Sequence, residues 1–388
     1  MKRKIKIIIG ANYGDEGKGL ATDYFCSPNP QKTLGILTNG TAQRGHTVTL
    51  EDERFHVFHH FSSGTLQGVP TYIGKEFTVN PLIYLEEYYS LKRNFGITPI
   101  VYLNPNCKIV TPFDMLANIK EKEKTGINNT CGCGYWKTLS RYTNHIEPLS
   151  VQKFTKLDFT QKLNCLYNIA TYYSKQINDL NINKSNMIWN FAKDFETMMQ
   201  SVILIDDEIV RDLRFEYLVF ENGQGLFIGE QNNTANWDYC TPSNTGLVPA
   251  MDIIRNALFH HGISTIKNIE ICYISRCYLT RHGAGELENE NVNKIITTDL
   301  TNFTNPYQGS LRYGELNLKT LLERIERDYK TRYFYKESYI EKRFLKSLMF
   351  THYNENTNQE IQDFISNDND FYEIYLSDGK TRNSIKRV

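Results

Sequence analysis

The chain has 388 residues, with 44 basic and 44 acidic side chains and a formal net charge of zero. This balance gives no global electrostatic reason to bind nucleic acid or an anionic membrane, and no apolar run approaches the roughly 20 residues of a membrane-spanning helix. The apolar stretch after the basic start, Met1 to Lys4, is too short for a signal peptide, which predicts a cytoplasmic protein.

The first predicted element is a buried strand that leads into a glycine-rich loop. Ile5 to Ile9 is an apolar, β-branched run, and Gly10 to Gly19 (GANYGDEGKG) follows it. The glycines let backbone N–H groups approach an anion, Lys18 adds a positive charge, and a helix starting after the loop would point its N-terminus at the same anion. This is not a Walker A loop, because Asn12 and Gly19 occupy positions where that motif needs glycine and Ser or Thr.

A second predicted strand, Thr33 to Thr38, ends in the loop Asn39 to Thr47. Open α/β sheets place ligand contacts where a strand ends in such a loop of small residues. His46 follows a glycine there, so its imidazole can reach a ligand, although a loop histidine is more often a surface residue.

The histidines and cysteines do not predict a metal site. His56, His59 and His60 lie in an alternating, strand-like run, and no Cys or acid completes a ligand set. The eight cysteines are scattered, and Cys131-Gly132-Cys133 is too tight for a zinc knuckle. Reduced structural thiols are therefore expected.

The later part of the chain repeats the pattern of a strand followed by a small or polar loop. Residues 151–215 have a mostly helical pattern, the predicted strand Tyr217 to Phe220 ends before Glu221 to Gly225 (ENGQG), and the predicted strand Ile269 to Leu279 leads into Thr280 to Gly285 (TRHGAG). Further loops of this kind are Asn128 to Gly134, Thr241 to Thr245, Asn305 to Leu316, Thr351 to Asn354 and Leu376 to Arg382.

In this order, these strings resemble the motifs of the adenylosuccinate synthetase family, which joins aspartate to the 6-position of a purine nucleotide. The most specific is Gly14 to Gly19 (GDEGKG), and Thr280 to Gly285 closely follows the family's Thr-Arg-Val-Gly-Ala-Gly. The resemblance implies an α/β fold with one large domain over residues 1–388. Its central sheet would be mostly parallel and flanked by helices, like a P-loop NTPase but with a non-Walker glycine loop.

The resemblance also implies a two-step reaction. Asp15 would take the N1 proton of a 6-oxopurine nucleotide, so that O6 attacks the γ-phosphate of a nucleoside triphosphate. Lys18 and His46 would offset the developing charge, with Mg²⁺ held by Asp15 and Gly45. The amine of L-aspartate would then displace phosphate from C6.

Binding residues follow from the same motifs. Arg312 is kept from the family's run of arginines and would hold aspartate through a guanidinium fork. Arg141 would reach into the partner's site in a homodimer. The full set implied for nucleotide binding is Gly14, Glu16, Gly17, Gly19, Gly45, Thr47, Thr130, Arg141, Gln224, Thr241, Arg281, Asn354, Ser377 and Gly379.

Departures from the family pattern leave the substrates open. Gln43-Arg44 replaces the family's Asn-Ala, and Asn354 stands where the family has the aspartate that selects GTP. Because an amide is compatible with adenine, ATP is predicted over GTP.

For the acceptor, IMP is the first choice because Asp15 is kept. The alternative is dGMP, the substrate of a phage branch that uses ATP and often has a small residue at that position. The shorter chain, Asn354 and the altered aspartate loop favour that alternative. The rival from another class is a non-catalytic nucleotide-binding protein, against which the retention of both Asp15 and His46 argues.

Overall fold

Seventeen strands and eleven α-helices lie in the described part of this computed structural model, which comprises residues 2–125, 131–176, 184–232, 239–259, 265–291, 309–335, 343–356, 359–367 and 370–388. The strands are β1 (Arg3–Gly10), β2 (Thr33–Leu37), β3 (Gly40–Thr41), β4 (His46–Thr49), β5 (Phe55–Phe58), β6 (Thr71–Ile73), β7 (Phe77–Val79), β8 (Val101–Leu103), β9 (Lys108–Ile109), β10 (Val202–Leu204), β11 (Tyr217–Gly225), β12 (Ile266–Arg276), β13 (Tyr278–Arg281), β14 (Arg312–Glu315), β15 (Phe344–Thr351), β16 (Glu373–Ser377) and β17 (Ile385–Arg387). The helices are α1 (Lys18–Cys26), α2 (Pro81–Phe95), α3 (Pro112–Thr125), α4 (Tyr135–Thr143), α5 (Val151–Thr155), α6 (Phe159–Gln176), α7 (Lys184–Met199), α8 (Val248–Ile254), α9 (Leu318–Lys330), α10 (Tyr353–Asn356) and α11 (Gln359–Asn367).

Ten strands form the central sheet, in the order β10-β8-β6-β2-β11-β1-β12-β15-β16-β17. Every neighbouring pair is parallel except β16 and β17, which are antiparallel. The mostly parallel α/β fold that the resemblance implied is therefore confirmed. That residues 1–388 form one domain stays a prediction.

The sheet is buried on both faces, as its apolar strands predicted. Ile5, Ile7 and Ile9 of β1 belong to the largest buried cluster, with residues of α8 and α9. Ile8 points to the other face and packs in a separate cluster with Ala21 of α1. Alternate residues of one strand therefore anchor helices on opposite sides, which is why the β1 sequence is a continuous apolar run.

Local sequence signals position most elements well. Helix α2 begins at Pro81, a residue type that suits the first turn of a helix, and the Asn80 side chain caps it by accepting from the N–H groups of Leu82 and Ile83. The predicted end of a strand at Phe220 is wrong, because β11 continues through Gly225. Gly225 pairs with Gly10 of β1, so the partner strand extends β11 beyond its apolar segment.

The parallel arrangement brings the carboxyl ends of β1, β2, β11, β12 and β15 to one edge of the sheet. The glycine-rich loop, the His46 loop and the loops at Gln224, Arg281 and Asn354 all follow or form these ends. None of the helices among the described residues is long and apolar enough to cross a membrane.

A buried acid links α9 to the sheet. Asp328 of α9 accepts from the Leu247 backbone N–H at 3.1 Å and from the Tyr273 hydroxyl at 2.8 Å. A Cβ at Gly246 would lie 2.0 Å from Asp328 Oδ1, so this site requires glycine there. Burial raises the pKa of Asp328 to about 6, above the value of an unfolded aspartate.

This raised pKa predicts a pH-dependent stability. Protonated Asp328 favours the folded state, so its contribution is complete below about pH 4 and is lost as pH rises through about 6. As pH rises from about 4 to about 6, the unfolding free energy of the Asp328→Asn variant should increase relative to that of wild type, by roughly 3 kcal/mol in total. Denaturant unfolding of both proteins across this range measures the difference. Asp363→Asn, an exposed change on α11, should leave the wild-type profile intact.

Candidate active site

The glycine-rich loop after β1 is folded around its own carboxylate. Glu16 Oε1 accepts from the backbone N–H groups of Asn12 at 3.0 Å and Gly14 at 2.8 Å, and Oε2 lies 2.8 Å from Lys18 Nζ. A Cβ at Gly10 would lie 2.3 Å from Glu16 Oε2, so glycine makes room for this carboxylate. Two loop N–H groups that were expected to approach an external anion are therefore already bound to Glu16.

Two further glycines of the loop bring other strands close to α1. A Cβ at Gly17 would lie 3.1 Å from Thr351 Cγ2, and the Thr351 hydroxyl donates to the Glu16 carbonyl at 2.7 Å. A Cβ at Gly19 would lie 2.6 Å from the Thr47 carbonyl oxygen and 3.0 Å from the His46 carbonyl carbon. The absence of a side chain at Gly19 therefore lets the strand that begins at His46 pack against the start of α1.

Asp15 lies beside a histidine that the motif analysis did not select. Its carboxylate is half-buried, and its Oδ2 is 3.6 Å from His282 Nε2. The Asp15 backbone carbonyl accepts from Arg276 on β12. His282 stands where the family motif has valine. This difference was the only feature of the motif that could have pointed to His282 as a neighbour of Asp15.

His46 is held by a buried acid on β11. Its Nδ1 lies 2.6 Å from Glu221 Oε1, and Arg44 donates to the same oxygen at 2.6 Å. Since a carboxylate only accepts, His46 donates its Nδ1–H to Glu221, and Nε2 is the unprotonated nitrogen of the neutral ring. The Ser63 backbone N–H also donates to Glu221 at 3.0 Å. Glu221 opened a predicted motif, but its binding of His46 was not predicted.

The charges of this cluster follow from its burial. Burial and the neighbouring Arg44 lower the pKa of His46 to about 3, so its imidazole is neutral. Burial favours the neutral form of Glu221, but the Arg44 charge and the hydrogen bond from His46 outweigh it and lower the pKa of Glu221 to about 2.

Arg44 is a buried cation with spare donors. The residue is 2% exposed, and among the described residues neither its Nε nor its NH1 has a hydrogen-bond partner. Such donors are costly to leave unpaired, and an oxyanion or a water molecule would satisfy them. The sequence flagged Arg44 only as a departure from the family's alanine.

Two more predicted residues lie near the same loops. Gln43 Nε2 donates to the Thr241 hydroxyl at 3.0 Å, which joins the loop after β2 to Thr241. Gln224 has a φ of 66°, a left-handed conformation that is uncommon outside glycine, and its Cα would lie 3.8 Å from a Cβ at Gly14. Thr130 lies outside the described residues.

Arg281 and Arg312 are paired across the antiparallel strands β13 and β14. Arg281 donates to the backbone carbonyls of Glu286 at 2.6 Å and Tyr239 at 3.1 Å. Arg312 forms a two-point ion pair with Glu290, at 2.9 and 2.6 Å, and donates to the Gly283 and Gly285 carbonyls. The Arg312 guanidinium, which was predicted to bind aspartate, is therefore paired with Glu290 of its own chain.

The two loops expected to bind the base of the nucleoside triphosphate do meet. Asn354 Nδ2 donates to Asp378 Oδ2 at 3.2 Å, and Asp378 lies between the predicted residues Ser377 and Gly379. Ser377 donates to the Gly379 carbonyl at 3.2 Å, which closes this turn.

The contacts of Arg141 lie within its own chain. Its side chain is fully buried and forms a two-point ion pair with Asp114, at 2.9 and 3.1 Å. It also donates to the Ile109 carbonyl at 3.1 Å. Since these partners surround the guanidinium inside its own chain, its contacts give no support to the predicted reach of Arg141 into a partner subunit, which stays a prediction.

Comparison with known proteins agrees with this geometry. The family model of adenylosuccinate synthetase matches residues 7–344. The chain belongs to the adenylosuccinate synthetase family. The adenylosuccinate synthetase of Borrelia recurrentis (strain A1) is 24% identical over 329 residues, which cover 83% of this chain and 73% of that protein. That of Streptomyces coelicolor is 26% identical over 301 residues, 73% of this chain and 65% of that protein.

Two solved structures share the fold. The fully ligated adenylosuccinate synthetase from Plasmodium falciparum has a TM-score of 0.69 at 16% identity, covering 99% of this chain and 87% of that chain. The cyanophage S-2L succinoaminodeoxyadenylate synthetase, bound to dGMP and to dATP as an energy donor, has a TM-score of 0.59 at 13% identity, covering 100% and 95%. Membership of the adenylosuccinate synthetase family makes the protein a C–N ligase of nucleotide metabolism.

Membership of this family also implies that the protein binds three kinds of ligand: a divalent metal ion, a nucleotide and aspartate. The described residues contain no cluster of three or more His, Cys, Asp or Glu side chains able to hold a metal. A site that holds Mg²⁺ through one or two protein oxygens together with substrate phosphates and water does not need such a cluster. Asp15 and Gly45 are partly or largely exposed and could supply such oxygens.

The buried Glu221 cluster predicts a sharp loss of stability when its acid is removed. Glu221→Gln should lower the unfolding free energy by roughly 3 kcal/mol, because Arg44 becomes an uncompensated buried charge. Denaturant unfolding measures the loss, and adding Arg44→Met to the variant should restore part of it. The matched control is Glu216→Gln, which breaks the exposed pair with Lys32 and should change little. Equal losses in the two single variants would contradict this account.

Proposed function

We propose that this protein joins L-aspartate to C6 of IMP through a 6-phosphoryl intermediate, driven by hydrolysis of a nucleoside triphosphate. The observation that supports this best is the arrangement of acid, imidazole and cations at one edge of the sheet. Asp15 follows β1, His46 is oriented by Glu221 on the adjacent β11, and the Lys18 charge is close enough to lower the pKa of His46. Nucleotide binding alone would not need such an acid–base arrangement.

In the first step, Asp15 accepts the N1 proton of the purine and makes O6 nucleophilic. The half-buried Asp15 carboxylate accepts no backbone N–H from the described residues, so it is available for this transfer. The Glu221 hydrogen bond fixes the imidazole of His46 with its proton on Nδ1. The negative charge of a bound phosphoryl group would raise the pKa of His46, and its protonated Nε2 would then donate to the developing charge.

The cations have different parts in this proposal. Lys18 and Arg44 keep the edge of the sheet positive behind the phosphoryl group, and the spare donors of Arg44 suit an oxyanion. Arg312 would release Glu290 and bind a carboxylate of the aspartate in its place. The two hydrogen bonds from the Arg312 guanidinium to Glu290 already have the geometry that this binding needs. Thr241, Gln224 and Arg281 remain proposed contacts of the nucleotide, together with the residues of the Gly14 to Gly19 loop.

We propose Mg²⁺ as the metal, held by the Asp15 carboxylate and the Gly45 carbonyl together with phosphate oxygens. When bound, it would neutralise charge on the transferring phosphoryl group. A homodimer and a cytoplasmic location belong to the same proposal. The homodimer no longer draws support from Arg141, whose side chain is engaged within its own chain.

The second candidate is the same chemistry on dGMP with ATP. A specific observation favours it, because the fold also matches the cyanophage enzyme bound to dGMP and dATP. The amide of Asn354 supports ATP over GTP for either acceptor, although the neighbouring Asp378 carboxylate adds an acceptor group at the same place.

The decisive experiment crosses both acceptors with both energy donors. Purified protein with Mg²⁺ and L-aspartate is given IMP or dGMP and ATP or GTP, and the product mass and purine absorbance are followed. We expect a succinyl adduct of IMP, formed faster with ATP. An adduct from dGMP alone would move the protein to the second candidate. Nucleotide binding without any adduct would support a non-catalytic binding protein instead.

The role of Asp15 has its own test. Asp15→Asn should lower kcat by roughly 10²–10⁴-fold while leaving the affinity for IMP unchanged, because the amide cannot accept the N1 proton. Steady-state kinetics and equilibrium binding separate the two effects. The matched control is Asp52→Asn, which removes an exposed acid paired with Arg54 and should keep full activity. A fully active Asp15→Asn variant would contradict the proposed mechanism.

A further inference from the structure

The proposed reaction has no use for the dithiol Cys131-Gly132-Cys133, which precedes α4. Gly132 and Gly134 both have a φ of 75°, a left-handed conformation that turns the chain at each side of Cys133. Both thiols are partly exposed, whereas Cys26, Cys107, Cys272 and Cys277 are buried. The turn therefore presents two neighbouring thiols at the surface of the loop.

The two thiols lie at neighbouring positions of this turn, and Cys133 Sγ is 3.8 Å from the Cys131 carbonyl oxygen. The neighbouring Cys133 thiol lowers the pKa of Cys131. The thiolate is the reactive form of cysteine, and a thiol held against it is placed to attack any disulfide that forms there. Reduced structural thiols were expected from the sequence. Cys131 and Cys133 differ from the buried cysteines because both are partly exposed and lie in one turn.

The dithiol is also joined to the candidate site. Cys131 Sγ lies 3.8 Å from Gln43 Oε1, within hydrogen-bond range for sulfur, and Gln43 Nε2 donates to the Thr241 hydroxyl at 3.0 Å. Gln43 is therefore held from both ends, by a thiol and by a proposed phosphate-binding threonine. A change at Cys131 would alter the support of Gln43 directly.

We propose that Cys131 and Cys133 form a reversible disulfide by exchange with a low-molecular-weight disulfide, and that the oxidised protein binds its nucleoside monophosphate more weakly. In the first step the Cys131 thiolate attacks one sulfur of the small disulfide, forming a mixed disulfide and releasing one small thiolate. Cys133, after losing its proton to solvent, attacks the Cys131 sulfur and releases the second small thiol. Two protein thiols are oxidised and one small disulfide is reduced to two thiols.

The effect on binding follows from the lost donor. A disulfide sulfur has no hydrogen, so Cys131 can no longer donate to Gln43, and the hold of Gln43 on Thr241 is loosened. The loss of one such hydrogen bond corresponds to roughly threefold to tenfold weaker binding. This second part rests on the proposed function, since it takes Thr241 as a contact of the monophosphate.

Thiol mapping tests the chemistry without any assay of activity. The full-length protein is incubated with oxidised glutathione, remaining thiols are alkylated, and peptides are identified by mass. We expect an internal disulfide between Cys131 and Cys133 that dithiothreitol reverses. Cys133→Ser should stop at a glutathione adduct on Cys131, and Cys131→Ser should leave Cys133 unmodified. Cys165, partly exposed on α6, is the matched thiol and should stay reduced.

Equilibrium dialysis with IMP and with dGMP then compares reduced protein, oxidised protein and the Cys131→Ser/Cys133→Ser double variant. Weaker binding after oxidation in wild type, and no change on oxidising the double variant, supports the proposal. If Cys131 and Cys133 stay reduced, or react no faster than Cys165, the dithiol proposal is overturned. If the disulfide forms but binding is unchanged, its link to the site is overturned. Failure of reduced protein to bind either nucleotide would count against the proposed function and leave the thiol result standing.

Discussion

The contact on which the candidate site depends most is the one between Glu221 and its four donor groups. Glu221 lies on a central strand with no exposed surface, so its ionised form is stable only because Arg44, His46 and Ser63 all donate to it. These three residues belong to loops and strand ends far from β11 in the sequence. One buried charge on the sheet therefore orients the imidazole, holds the guanidinium and sets the path of the loop after β2.

The same arrangement recurs at the neighbouring cations. Lys18 is paired with Glu16, and Arg312 with Glu290, so these two positive groups each have an internal acid. A chain of zero net charge can in this way hold a locally basic site without long-range attraction for polyanions. Phosphate and carboxylate groups of substrates would compete with these acids for the cations, so in the proposed function each substrate anion would displace an internal carboxylate. Arg44 has two donors without a partner among the described residues, and it replaces an alanine of the family pattern.

Much of the fold was open to prediction from local patterns, and the exceptions have a common cause. The apolar β1, the capped start of α2 and the parallel sheet all follow from periodicity and from residue preferences that act over a few neighbours. The extent of β11 was misjudged because its last residues, through Gly225, are neither apolar nor β-branched. They are extended because β1 lies alongside them and Gly10 pairs with Gly225. Pairing between strands more than 200 residues apart leaves no local signal.

The sequence by itself determined the residue types of the site and the order in which the chain supplies them, because the glycine loop, the histidine loop and the later polar loops are short local strings. Only the tertiary structure decided which arginine does what. Arg312 was expected to bind aspartate and Arg141 to reach a partner subunit, yet Arg141 is paired with the buried Asp114 and Arg312 with Glu290, while Arg44 was noted only as an exception. The partner of a guanidinium is set by which acid the fold brings near it, and for Arg44 that acid is 177 residues away. Burial and the neighbouring charges together then set the charge of each group, and both are properties of the packed chain rather than of any motif.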